Sequence, residues 1–251
     1  MWLAALYGGL ASSMLIVGTV LAYAFKPSPR FTAIVMALGA GLLIGSVAYD
    51  LVAEAKLSIR LPSIALALLA GALVFVLGSR AIDRHGRKKP RLSQIAKPTR
   101  EAPPTADDFN PLSIVLGSGL DGVPESFVLG LSVLTGGISL PLLLGISLSN
   151  VPEGMAAGSG LRARGWPAMR VIAMWVVVVL ISAAAAALGH EILASDDGTW
   201  TGLAQTFAAG ALLAMLADTM LPESYAVERV WTGLLVVGGF AGSLLIAGLV
   251  A

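Results

Sequence analysis

Gly117-Ser-Gly-Leu-Asp-Gly-Val-Pro-Glu125 and Gly145-Ile-Ser-Leu-Ser-Asn-Val-Pro-Glu153 are one motif written twice. Each copy sets a carboxylate beside a proline in the middle of an apolar run. A charge in a bilayer core costs about 2.5–3.5 kcal/mol even on insertion scales, and proline removes a backbone donor from a helix. Two such charges beside two helix breakers need a reason, and a cation site at mid-membrane depth supplies one.

The surrounding chain is suited to a membrane. Of its 251 residues, 57% are hydrophobic and 12% charged, whereas a soluble domain carries about 25% charge. The apolar runs approach 20 residues, the length that crosses a hydrocarbon core of about 30 Å. The expected fold is all-α, a polytopic membrane protein with eight transmembrane helices. They fall near Trp2–Phe25, Phe31–Ala53, Leu61–Gly78, Pro111–Leu134, Ser139–Gly160, Pro167–Gly189, Thr199–Leu221 and Val230–Val250. Residues 1–251 read as one transmembrane domain, interrupted at about 79–110 by a polar, Pro-rich cytoplasmic loop expected to be flexible. The first run lacks a basic flank and continues to Phe25, so it reads as a span rather than a cleaved signal. With no cysteine, the chain has neither disulfides nor thiolate metal ligands.

All Lys and Arg except Lys56 and Arg60 lie in the connections after the first, third, fifth and seventh spans. The positive-inside rule then places the long loop in the cytoplasm and both termini outside. Arg84, Arg87, Lys88, Lys89 and Arg91 serve that topology, and nucleic acid or anionic lipid is the competing use of such a cluster. His85 in the same loop reads as solvated. So does the patch of His190, Glu191, Asp196 and Asp197. Trp2, Trp166, Trp200 and Trp231 stand at span ends, as interfacial anchors do.

Asp121 and Glu125 are four residues apart, so they leave one helical face together. Ser149 and Glu153 are four apart, and Asn150 is three from Glu153. Pro124 cannot donate to the Leu120 carbonyl, nor Pro152 to that of Leu148, so each helix is expected to kink and free an oxygen beside its acid. The two spans are joined by a turn around Gly136 and Gly137 and run antiparallel, which lets their faces meet. The ligands so assembled are Asp121, Glu125, Ser149, Asn150 and Glu153. All are oxygen donors, and a divalent cation would neutralise most of their charge. Helix packing alone accounts for the small residues Gly130, Gly145, Gly154 and Gly158, but not for a repeated glutamate. Asp50 with Glu54, and Asp218 with Glu223, stand one cluster at each mouth of a path. Transport and plain solvation both explain them. Ser182, ahead of Ala183 to Ala187, offers close packing and one hydroxyl.

This pattern resembles the ZIP (Zrt/Irt-like) divalent metal transporters, in particular their bacterial branch, over nearly the whole chain. Asn150-Val151-Pro152-Glu153-Gly154 is similar to the family's His-Asn-x-Pro-Glu-Gly signature. Asp218-Thr219-Met220-Leu221-Pro222-Glu223 resembles its seventh-span pattern, and Asp50-Leu51-Val52-Ala53-Glu54-Ala55 its second-span pattern with His and Pro replaced. The resemblance implies a two-metal centre bridged by Glu125 and Glu153. One metal would see Asp121, Ser149 and Leu43, the other Gly122, Asn150 and about Ala186. It further implies an exit-path role for Asp218, a homodimer, and a group of spans that moves against the rest. Asp121, Gly122 and Ala186 depart from the family's His, Asn and Glu, so one metal position is expected where relatives hold two. The remaining oxygen set suits Mn²⁺ and Fe²⁺ as well as the zinc that the family implies.

The expected function is ATP-independent uptake of a divalent metal ion, as substrate and without a cofactor, across a bacterial inner membrane. Asp50 and Asp218 would guide the ion in and out. Lipid, the ion and a second copy are the expected partners, and nucleic acid is not. No Walker motif is present, and no nucleophile or His-Glu-x-x-His supports a hydrolase, so an enzyme is not expected. The other reading is a degenerate relative that no longer transports and acts as a membrane scaffold or metal sensor.

Overall fold

The computed structural model describes residues 1–85, 111–134 and 139–250. Among them the chain is helical apart from short connections, with no strand. Eight long helices follow one another: α1 (Trp2–Phe25), α2 (Pro29–Ser58), α3 (Leu61–His85), α4 (Pro111–Ser132), α5 (Leu140–Ala163), α6 (Ala168–Leu193), α7 (Thr199–Glu228) and α8 (Trp231–Val250). Six of them, all but α4 and α5, are long and apolar enough to cross a membrane among the described residues. The long loop beyond residue 85, with Arg87, Lys88, Lys89 and Arg91, lies outside the described residues, as does the Gly136–Gly137 turn.

Local chemistry sets the helix ends. Ser28 caps α2 by accepting the Phe31 amide at 3.2 Å, with Pro29 following it. Ser139 caps α5 by accepting the Leu142 amide at 3.2 Å. The Asp196–Asp197 pair, expected to be merely solvated, caps α7. Asp196 Oδ2 accepts the amides of Gly198 at 3.1 Å and Thr201 at 2.7 Å, and Asp197 Oδ1 accepts that of Thr199 at 3.0 Å. The Thr199 amide, and after it the Thr199 hydroxyl, hold the Asp197 carboxyl below its ordinary value.

α2 and α7 overrun their expected ends for a shared reason. Each contains a wider π-helical stretch, Val47–Val52 in α2 and Leu216–Met220 in α7, and then resumes as α-helix. The first stretch holds Asp50 and the second holds Asp218. Acids that look like the end of a span are therefore internal to a longer helix.

Glycines set the helix spacing, often in reciprocal pairs. A side chain on Gly18 would strike the Val151 carbonyl, and one on Gly154 that of Leu15, so α1 and α5 touch backbone to backbone. Gly41 against Val236 and Gly239 against Leu38 join α2 to α8 in the same way, and Gly71 against Phe207 with Gly210 against Leu68 join α3 to α7. Between apolar helices in lipid such contacts replace the hydrophobic effect as the glue, and carbonyls facing Cα–H groups add weak hydrogen bonds.

α5 lies against α1 and α2, and α4 against α6 and α7. α8 packs on α2, α3 packs on α7, α1 meets α6, and α2 meets α7. Most of this pattern is unchanged when α1, α2, α3 and α4 are exchanged with α6, α7, α8 and α5; the packing of α1 on α4, whose image between α6 and α5 is slight, departs from it. The exchanged partners run in opposite directions. The start of α1 meets the end of α6 where the Met1 amino group approaches His190 Nε2 at 3.3 Å. The start of α2 meets the end of α7 where Arg30 pairs with Glu228 at 2.9 Å. At the other end of that pair, Gln205 Nε2 of α7 donates to Glu54 of α2 at 3.1 Å. Opposed repeats around a central site are a recurrent carrier plan.

Two larger apolar cores, with a small third around Ala33 and Ala156, lie among the described residues. One gathers Leu43, Leu51, Phe75, Leu129, Ile146 and Leu212 from α2, α3, α4, α5 and α7. The other gathers Leu15, Leu161, Trp166, Trp175 and Val178. Trp166 is thus no interfacial anchor. It is buried, its carbonyl accepts the Tyr23 hydroxyl at 2.7 Å, and Arg170 lies 4.2 Å over its ring. Trp2, Trp200 and Trp231 are exposed, as expected of anchors. Outward, α3 and α8 show rows of exposed leucines and valines.

Candidate metal centre

The doubled motif folds as two continuous helices, with Pro124 inside α4 and Pro152 inside α5. Each proline leaves one carbonyl of its helix without the usual amide donor. On α4, Asp121 and Glu125 are buried, the latter 3% exposed. On α5, Ser149 and Asn150 are buried and Glu153 is half-buried. Glu125 lies within electrostatic reach of both Glu153 and Asp121. Like charges at such separations repel, and a cation between them is attracted.

The helices that hold these groups apart from one another also aim them. α4 and α5 touch each other only slightly, and each is positioned mainly by its neighbours in the bundle. Asn150 Nδ2 donates to the Ala11 carbonyl of α1 at 3.1 Å, which commits the amide nitrogen and leaves Oδ1 as the end available to a cation. The Ser149 hydroxyl donates to the Ile146 carbonyl at 2.9 Å and keeps oxygen lone pairs for a ligand role. One turn below Asn150, the Gly154 carbonyl accepts the Thr19 hydroxyl at 3.1 Å, and Thr19 accepts the Trp175 indole N–H at 2.6 Å. This buried relay ties α5 to α1 and α6. Among the described residues, no three His, Asp or Glu side chains close in on a single point as a finished metal shell.

The groups expected along a path are built into contacts of their own. Asp50 accepts the hydroxyl of Ser139 at 2.5 Å, linking the π-helical stretch of α2 to the cap of α5. Asp218 is exposed on the matching stretch of α7. Leu43, the position where the resemblance puts a soft ligand, is fully buried in the larger apolar core and lies against Gly145. Ala186 is packed against Gly8 and Gly130 and offers no donor. Glu54 is occupied by Gln205.

Sequence reasoning missed two polar groups. Glu228 is 7% exposed and forms the ion pair with Arg30. Its only signal is a lone acid after an apolar span whose partner helix begins with a lone base. Ser126, adjacent to Glu125, is fully buried and faces Ser12 of α1, with oxygens 3.4 Å apart. The alternation of Ser12, Ser126 and Ser182 among small residues was readable only as packing.

No protein-family model matches this chain, and no curated protein matches it either.

Proposed function

We propose that this protein is an eight-span carrier of the inner membrane, with both termini outside, that moves a divalent metal ion through a site on α4 and α5. The observation that carries the reading is the burial of Asp121 and Glu125 within reach of Glu153, on helices where no basic residue precedes Arg162. Buried like charges gathered on neighbouring helices are expensive, and a divalent cation is an economical partner for them. Glu125 and Glu153 would hold the ion, while Asp121, Ser149 and the Asn150 oxygen would complete its shell. The opposed repeat supports a carrier over a scaffold, because it presents the central site to either face of the membrane by one architecture. The hard oxygen set favours Mn²⁺ or Fe²⁺, and the ZIP resemblance adds zinc and a homodimer.

The test is uptake of Mn²⁺, Fe²⁺ and Zn²⁺ into proteoliposomes. Glu125→Ala with Glu153→Ala should abolish uptake at unchanged protein incorporation. Uptake equal to that of the unaltered protein would end the proposal. A second reading, a membrane metal sensor or scaffold, is favoured by the lack of a closed three-ligand shell among the described residues. It predicts no uptake by the unaltered protein, and a scaffold further predicts no saturable metal binding.

A further inference from the structure

Hydroxyls on membrane helices usually donate to their own backbone. Ser132, Ser149 and Ser243 each do so, to the carbonyl three residues back. Ser182 of α6 does not. It is fully buried, and its Oγ has no hydrogen-bond partner among the described residues. A buried hydroxyl left unmatched marks a place for a water or an ion.

The surroundings say where that hydroxyl looks. A Cβ on Gly122 of α4 would sit 3.3 Å from Ser182 Oγ, so the hydroxyl faces α4 at the residue between Asp121 and the Val123-Pro124-Glu125 turn. Gly8 of α1 closes the third wall: a Cβ there would lie 3.1 Å from the Ser182 carbonyl and 3.4 Å from Ser126 Cβ. Ser126 in turn faces Ser12. Among the described residues, the Ser182 hydroxyl is the one group that comes within 4 Å of the space that Gly122 leaves open, while Ser126 and Ser12 pair with each other nearby on α4 and α1. Gly122 precedes Glu125 by three residues and Ser126 by four, so that spot adjoins the Glu125 carboxylate on the helix surface.

We propose that Ser182, across from Gly122, holds a water molecule that is itself a ligand of the ion at Glu125, which makes Ser182 a specificity-determining residue. This rests on the carrier reading above. A metal-bound water turns its hydrogens outward and needs acceptors, and the unmatched Ser182 oxygen supplies one. The site therefore takes its ion partly hydrated. That suits Mn²⁺ and Mg²⁺, which accept oxygen shells with water, over Zn²⁺, which settles for four ligands.

The experiment measures Mn²⁺ and Zn²⁺ binding by calorimetry on the purified full chain. It compares the unaltered protein with Ser182→Ala, a change of one atom beside a run of alanines, and Gly122→Ala, which fills the spot. Both variants should lose Mn²⁺ affinity about tenfold while Zn²⁺ affinity holds, and pulsed EPR of bound Mn²⁺ should count one coordinated water fewer. A merely structural role for Ser182 would weaken both metals alike. An unchanged Mn²⁺ to Zn²⁺ ratio, or an unchanged water count, in variants that still bind metal overturns the proposal alone. An unaltered protein that binds neither metal overturns it together with the carrier reading.

Discussion

Individual side chains here do more than their residue type suggests. Thr19 receives the Trp175 indole and donates to Gly154, so Thr19→Val orphans a buried N–H at the junction of α1, α5 and α6. The expected loss is about 1–3 kcal/mol, read as a lower midpoint of thermal unfolding in detergent. Thr19→Ser should restore most of it, and a Val variant as stable as the parent would show that the relay contributes nothing. Asp197 gives a pH dependence of definite sign. Its carboxyl lies below the ordinary value because the Thr199 amide binds the charged form. Its contribution is therefore complete above the unfolded carboxylate range, near pH ~4, and disappears as pH falls through the lower folded value. Hydrogen exchange at the Thr199 amide should accelerate, relative to intrinsic rates, only below that range. In Asp197→Ala the protection should be reduced at neutral pH and independent of pH.

At the scale of the helix, spacing is governed by glycine. Gly154→Val places side-chain atoms against the Leu15 carbonyl and should cost about 1–3 kcal/mol by overpacking. It should also reduce metal uptake, because α1 holds Asn150 in place. Unchanged stability and uptake would mean that α1 and α5 part easily. Much of this was legible beforehand. α1 ends where Lys26 and Pro27 interrupt the apolar run, and the doubled Val-Pro-Glu motif singled out a stretch whose Asp121 and Glu125 are buried. What escaped had physical causes. Asp50 and Asp218 read as span ends because charge usually marks an interface, yet π-helical turns carry them inside longer helices. Arg80 read as a loop residue, but α3 continues past it, because long basic chains can reach outward from a helix. Trp166 followed the habit of its residue type until packing against α1 and α6 overruled it. The unmatched Ser182 hydroxyl was invisible because serine among alanines looks the same whether its oxygen points to its own backbone or to another helix.

The described helices pack approximately as two opposed halves, with the motif helices α4 and α5 as counterparts of one another. The absence of cysteine makes the proposed orientation directly testable. Ser58→Cys, at the end of α2, should react with an impermeant maleimide on intact cells, while the exposed Met169→Cys at the start of α6 should react only after permeabilisation. The reverse pattern would invert the topology. The two ends of the α2–α7 pair are held by different contacts, Arg30–Glu228 and Gln205–Glu54, so they should loosen separately. Arg30→Gln should loosen one end, read as faster labelling of a cysteine at Tyr225, and leave labelling at Ser58→Cys unchanged.

An architecture that looks alike from both sides has no arrow of its own. Turned upside down, α1 to α4 become the counterparts of α6, α7, α8 and α5 in packing order, though not in the side chains they carry. Any rectification must come from where the two halves differ. The clearest difference is at the ends of α2 and α7, latched by a full ion pair at Arg30–Glu228 and by an amide and a carboxylate at Gln205–Glu54. One latch responds to salt and the other hardly does. Ionic strength on the face that holds Arg30–Glu228 should therefore loosen that latch and leave Gln205–Glu54 in place.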